Sequence, residues 1–252
     1  MKESFIPIKK FSEEPYSNIL GYPQANSRQI NSRLKELERM GIQTVSFRGT
    51  TQLGKLQVLG KGYVGVVILA KKKGKVFALK IRRTDAQRNK MHYEAKLLQT
   101  ANKVKVGPQL IDFSNNFILM EFISGKRISD WIKELKGRGT AKTVKSTIRK
   151  ILEDCRKLDE VGFDHGELSR ISKHVIVGKK ISLIDFESGS IKRRVANVTS
   201  ATQAIFIDSR LSKILHKIYK ISPKADIIKS LQAYKGNKSR DSFENLLVTL
   251  RL

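Results

Sequence analysis

A glycine triplet, a lysine and three acidic positions fall in one order along this chain, and their types suit the handling of phosphate and a divalent cation. The triplet is Gly60-Lys61-Gly62-Tyr63-Val64-Gly65-Val66-Val67, and glycines without Cβ atoms let backbone amides come close to phosphate oxygens. Lys80 ends the apolar run Phe77-Ala78-Leu79, where a charge needs a partner. Glu94, fourteen residues on, is the natural one. Such a pair holds the α- and β-phosphates of a nucleotide. Glu167, in His165-Gly166-Glu167-Leu168, offers a carboxylate that accepts a hydroxyl proton or orients a water. Asp185, in Ile184-Asp185-Phe186-Glu187, leaves an apolar strand where a hard oxygen ligand suits Mg2+. Taken singly, each segment has a plain structural reading: a glycine hairpin, a surface lysine, a turn-forming aspartate. The shared order of all five is what points to phosphoryl transfer.

The elements that must position these residues follow from periodicity. Residues 56–59, 66–70 and 76–81 are β-branched and apolar, and Lys71-Lys72-Lys73-Gly74-Lys75 is a hairpin turn between the last two. A dinucleotide-type triplet would have to open a helix, whereas a strand follows this one. A helix carrying Glu94 comes next, with Met91, Ala95, Leu97 and Leu98 as its apolar face. Strands over 108–113 and 117–123 are joined by Ser114-Asn115-Asn116. The rest reads mostly as helix. Ala141, Val144, Ile148, Ile151, Leu152, Cys155 and Leu158 form one stripe closed by Gly162. Strand-like pieces lie at 175–177 and 181–184, and helices start near Val198, Ser222-Pro223 and Ser239. Residues 1–50 stand apart as an N-terminal extension with a helix over 27–40 (Ile30, Leu34, Leu37, Met40, then Gly41) and a strand over 44–47. The expected organisation is an extension over 1–50, a strand-rich lobe over 51–123 and a helical lobe over 124–252.

Composition narrows the setting. Cys155 is the only cysteine, which excludes an internal disulfide and a cysteine metal cluster. The longest apolar run, 64–70, is too short to span a bilayer. No signal-peptide core follows the charged start. A cytoplasmic protein without membrane association is expected. Fifty Lys and Arg against twenty-three Asp and Glu give a formal charge of +27. That field attracts polyanions, although a basic proteome produces the same excess. Lys71, Lys72, Lys73, Lys75, Arg82, Arg83, Arg88 and Lys90 would present a basic face to RNA.

These motifs resemble the atypical protein-kinase-like families. His165-Gly166-Glu167-Leu168-Ser169 is similar to the His-Gly-Asp-Leu-Ser catalytic loop of RIO kinases, and to the loops of the KEOPS-complex and lipopolysaccharide-core kinases. It is closer still to archaeal predicted serine/threonine kinases that carry this glutamate form. The resemblance covers about residues 54–190. It implies an α+β, two-lobed protein-kinase-like fold with a minimal C-terminal lobe and an N-terminal helical extension. The implied activity is that of an ATP- and Mg2+-dependent serine/threonine kinase or ATPase. Lys80, Glu94, Glu167 and Asp185 take the family roles. Gly60, Lys61, Gly62, Tyr63, Gly65 and Val67 cover the nucleotide, and backbone groups at Glu121 and Ile123 bond adenine.

Three departures accompany the resemblance. Glu167 replaces an aspartate and moves the carboxylate one methylene out. The asparagine that holds a second metal is replaced by Ser172 or by His174, according to the alignment used, and histidine suits Mn2+ better than Mg2+. Glu187 stands where a flexible glycine is usual, and no long activation loop follows. Joined to the charge, the resemblance points by analogy to work near ribosomal RNA or tRNA, with ATP, a protein substrate and RNA or a ribosomal particle as partners. A small-molecule kinase and an RNA-binding pseudokinase scaffold are the alternatives. The former usually shows an acidic pocket for cationic sugars, and the latter would explain Glu167 and the missing asparagine.

Overall fold

Alternation of side chains along residues 65–82 and 117–121 builds the main sheet. Val66, Ile68, Ala70, Leu79, Ile81, Phe117 and Leu119 are buried on one face, because successive residues of a strand point to opposite sides. The computed structural model describes residues 4–87, 91–207 and 209–252. The chain divides into two compact units, one from Met1–Gln99 with Pro108–Phe122 and one from Thr100–Gly107 with Ile123–Leu252.

The first unit contains β1 (Ile6–Pro7), α1 (Ser17–Leu20), α2 (Ser27–Arg39), β2 (Thr44–Ser46), β3 (Thr51–Leu53), β4 (Leu56–Val58), β5 (Gly60–Lys61), β6 (Gly65–Lys72) and β7 (Lys75–Arg82). Then come α3 (His92–Lys103), whose residues from Thr100 on belong to the second unit, β8 (Leu110–Phe113) and β9 (Phe117–Glu121). Among the described residues the main sheet has seven strands in the antiparallel order β1-β2-β6-β7-β9-β8, with β5 also paired to β6. Lys73 and Gly74, with φ of 50° and 74°, make the tight β6–β7 turn, a geometry that matches the twist of paired strands.

Residues 4–50 are part of this sheet and its core. Strand β2 pairs with β6, and Ile8, Phe11, Ile19, Leu20, Leu37 and Val45 are buried with the sheet's apolar face. The expected helix over 27–40 is α2, whose start is fixed by a reciprocal capping box between Asn26 and Gln29. The expected strand over 56–59 is divided: β4 forms its own hairpin with β3, and from Leu59 onward the chain bonds β6 instead.

The second unit contains β10 (Gly125–Arg127), α4 (Ile128–Glu134), α5 (Thr140–Glu160), α6 (Ile171–His174), β11 (Val175–Gly178), β12 (Ile181–Leu183), α7 (Asn197–Phe206), α8 (Arg210–Ile218), α9 (Lys224–Gly236) and α10 (Arg240–Thr249). The stripe Val144, Ile148, Ile151, Leu152, Cys155 and Leu158 of α5 is buried, and Gly162 follows at φ 69°. Helices α8 and α10 start on serine caps, Ser209 and Ser239. Pro223 is the N-cap residue of α9. Strands β10, β11 and β12 form a small antiparallel sheet. The fold is α+β, with 45% helix and 20% strand in antiparallel sheets. No helix among the described residues is long and apolar enough to cross a membrane.

Candidate functional site

In the first unit the glycine turn and Lys80 are built by neighbouring strands. Strand β5 enters the turn paired with β6, Gly60 opposite Val67 and Lys61 opposite Val66. The Gly62 amide donates to the Gly65 carbonyl at 2.8 Å, so this amide closes the turn itself. Arg83 braces the turn, its guanidinium donating to the Gly62 carbonyl at 3.2 Å. Tyr63 projects from the tip, 86% exposed. The side chain of Lys61 instead lies over the Tyr22 ring, 4.8 Å from its centroid.

Lys80 sits opposite Val67 of β6 and Ile118 of β9, on the sheet face away from the main core. Its Nζ donates to Glu94 Oε1 at 2.6 Å, with both side chains buried. Lys80 is therefore not a surface lysine. The pair forms because β7 and the first turn of α3 each present a long side chain to the other. Gly65 makes room for the lysine stem: a Cβ there would lie 2.8 Å from the Ile81 carbonyl oxygen and 3.0 Å from Lys80 Cγ. Gly60 carries no such constraint, since a Cβ there meets nothing within 4 Å. At the end of β9 the Glu121 amide donates to the Gln109 carbonyl at 2.8 Å, and its carboxylate accepts from the Gln109 amide at 3.1 Å. The amide is thus engaged within the unit. Ile123 is buried as the first residue of the next segment of chain.

In the second unit two loops are joined side by side. Asp164 and Ser190 exchange backbone hydrogen bonds at 2.9 and 2.8 Å, which brings residues 164–167 alongside residues 185–190. Gly166 has φ 87°, and a Cβ there would lie 2.6 Å from the Ser188 carbonyl oxygen. Only glycine suits that turn. Glu167 is held at both ends: Ser188 Oγ donates to Oε1 at 2.5 Å, and His174 Nε2 lies 3.1 Å from Oε2. His174 is buried, its Nε2 donates to the Glu167 carboxylate, and its Nδ1 has no hydrogen-bond partner.

His165 orders the loop from within. Its amide donates to Asn197 Oδ1 at 2.8 Å, and its Nε2 lies 3.1 Å from the Ile184 carbonyl oxygen. Burial, reinforced by His174 nearby, pushes its pKa down to about 4, so the ring is neutral and Nε2 is the donor. Asn197 is fixed in turn by Asp159, which accepts from its side chain at 2.8 Å and its amide at 3.0 Å. Tyr234 also donates to Asp159, at 3.1 Å. Arg193 donates to Asp164 at 2.5 Å and to the Ser188 carbonyl at 3.0 Å. Asn197, Asp159, Arg193 and Ser188 carry no motif, and sequence reasoning did not find them.

Asp185 follows β12 with φ 67°, a left-handed conformation that aspartate tolerates better than most residues. A carboxylate oxygen of Asp185 and one of Glu187 lie within 4.8 Å of each other. Two like charges so close favour a cation between them, and a carboxylate pair completed by water and phosphate oxygens suits Mg2+. Glu187, read from sequence as a replaced glycine, is thus the carboxylate that accompanies Asp185. His174 faces Glu167, and half-buried Ser172 lines a separate hollow with Ser169, Ser200 and Arg210. Burial, with Asp159 and Asp154 adding to it, raises the Cys155 thiol well above its usual range, which suits a packing role.

No family model matches the chain. Among curated proteins it is similar to Uncharacterized protein MJ1211 of Methanocaldococcus jannaschii, 30% identical over 98 residues that span 39% of this chain and 81% of that one. The chain belongs to the same family as that archaeal protein.

Within this family member, the basic stretch expected to face RNA is partly engaged. Lys72 pairs with Asp112 at 2.8 Å and Arg83 with Asp85 at 2.6 Å. Lys71 lies 3.9 Å from the Phe5 ring centroid, and Arg82 donates to Asn116 at 3.0 Å. Lys73 and Lys75 are exposed at the hairpin. Arg88 and Lys90 lie outside the described residues.

Proposed function

We propose that this chain is an ATP- and Mg2+-dependent phosphotransferase of the atypical, RIO-like kinase type, with its two units as the lobes of a kinase-like fold. The observation that carries the reading is the buried Lys80–Glu94 ion pair, formed beside the glycine turn with Gly65 packed on the lysine stem. A buried charge pair is costly to desolvate and adds little net stability compared with apolar packing. Its presence beside a phosphate-suited turn is better explained by function.

In this reading Lys80 neutralises α- and β-phosphate oxygens, and Glu94 holds the ammonium in place. Asp185 and Glu187 hold the metal, which when bound would neutralise charge on the phosphates. Glu167, oriented by His174, accepts the proton of the attacking hydroxyl. The chain's own contribution is positioning and electrostatic stabilisation, the usual means of catalysis in phosphoryl transfer. The charge of +27 supports an acceptor associated with RNA or a ribosomal particle.

One observation favours a second reading, nucleotide binding without transfer: both Glu167 oxygens are already engaged within the unit, by Ser188 and by His174. Titrating ATP into the wild type and Asp185→Asn, with and without Mg2+, tests the phosphotransferase reading. The expected result is a large affinity loss with Mg2+ and little change without it. Equal losses in both titrations would make Asp185 a structural residue. Phosphate release by the wild type then separates transfer from binding alone.

A further inference from the structure

We infer that Ser188 is a phosphoryl acceptor within the same chain, phosphorylated at the site to which Glu167 belongs; this rests on the phosphotransferase reading above. An acceptor needs a hydroxyl directed at the carboxylate that takes its proton, within about 2.6–3.2 Å. Ser188 is so placed, its Oγ donating to Glu167 Oε1 at 2.5 Å, the short end of the hydroxyl–carboxylate range.

The surroundings fix the arrangement from three sides. His174 Nε2 engages the other carboxylate oxygen and leaves Oε1 turned toward the serine. Arg193, anchored on Asp164, holds the Ser188 carbonyl. The Asp164–Ser190 bridge and the left-handed Gly166 bring the two loops together. Ser188 also directly follows Glu187 and lies three residues beyond Asp185, so the acceptor is covalently next to the carboxylates assigned to the metal. Its side chain is half-buried rather than sealed.

In the step, Ser188 Oγ forms a bond to the γ-phosphorus of ATP while the bond from that phosphorus to the β,γ-bridging oxygen breaks. The electron pair leaves with ADP. The hydroxyl proton passes to Glu167 Oε1 and from there to solvent. Because the serine is tied to Glu167 of its own chain, transfer is intramolecular and its half-time does not depend on protein concentration. Phosphoserine would replace a hydrogen bond with a dianion beside Glu167, and like-charge repulsion would drive the loop off the carboxylate. A single modification therefore exposes Glu167 to other acceptors.

The test incubates full-length protein with radiolabelled ATP and Mg2+ over a dilution series and maps phosphate by mass spectrometry. Wild type, Ser188→Ala, Ser188→Thr and Glu167→Gln are compared, with nucleotide binding titrated for each. Phosphate is expected on Ser188 with a half-time independent of dilution. Ser188→Ala loses that incorporation, Ser188→Thr regains it as phosphothreonine, and Glu167→Gln slows it by about a hundredfold. Phosphate on other residues with Ser188 unmodified, or ATP turnover with no phosphate on the protein, overturns the acceptor role and leaves the phosphotransferase reading standing. Absence of Mg2+-dependent nucleotide binding in the wild type overturns both.

Discussion

The two units hold their acidic groups in different ways. In the first, Glu94 meets a full opposite charge, Lys80, across a strand and a helix, both of them regular elements. In the second, Glu167 is held by the Ser188 hydroxyl from a loop and by the His174 imidazole from the end of α6, and the loop carrying Glu167 depends on left-handed Gly166 and a buried Asn197–Asp159 support. A charge pair on regular elements is rigid but fails badly when one partner is lost. A carboxylate held by hydrogen bonds from two side chains spreads its support over several modest interactions. The first arrangement suits a fixed contact to phosphate, and the second suits a group whose partners must exchange during a reaction.

The largest effect should come from breaking the charge pair. Lys80→Met leaves the Glu94 carboxylate buried without its lysine and is expected to cost about 3–5 kcal/mol in chemical denaturation. The double change Lys80→Met with Glu94→Met should recover most of that loss, because well-packed apolar residues replace a buried pair at little cost. Neither variant should regain nucleotide affinity. If the single and double variants are equally stable, the pair is not buried in solution as described.

Acid titration probes the second region. His165 has a folded pKa of about 4, below the unfolded value of about 6.5. The unfolded chain therefore binds a proton first as pH falls. The contribution of neutral His165 is fully present above pH ~6.5 and is lost progressively down to about 4, roughly 3 kcal/mol in all. Asp159, raised by burial, acts in the opposite direction but is common to both proteins being compared. His165→Leu should be less stable at neutral pH, having lost the bond to Ile184, yet show a flatter acid limb. Parallel limbs would place the acid sensitivity elsewhere.

The smallest effect separates two glycines of one turn. Gly65→Ala forces a Cβ against the Ile81 carbonyl and the Lys80 stem, and should cost about 1–3 kcal/mol with weaker nucleotide binding. Gly60→Ala meets open space and should stay within about 0.5 kcal/mol of wild type. Equal stability losses would mean that the turn responds as a whole rather than through the contact with Lys80.

How much was legible in the sequence follows the same division. The Lys80–Glu94 pair could be anticipated because strand and helix periodicities are local, and a lone charge in an apolar strand calls for a partner. Asp185 at a strand end was legible for the same reason. Glu187 was passed over because a departure from a motif hides what the new side chain can do. That the extension's strand β2 joins the main sheet through β6 was not legible, because this pairing spans a distance in sequence that no local pattern records.

The sequence by itself determined the α+β pattern, most strands and helices, and the residue types suited to phosphate and metal. Only the tertiary structure decided that Lys80 is buried on Glu94, that Glu187 accompanies Asp185, and that Ser188 and His174 share Glu167. The reason is that hydrophobic periodicity is written in neighbouring residues. A carboxylate's partners in loops depend instead on a few backbone torsions, such as those of Gly166 and Asp185, and on contacts from as far away as Asn197 and Asp159. Those contacts exist only once the chain has closed on itself.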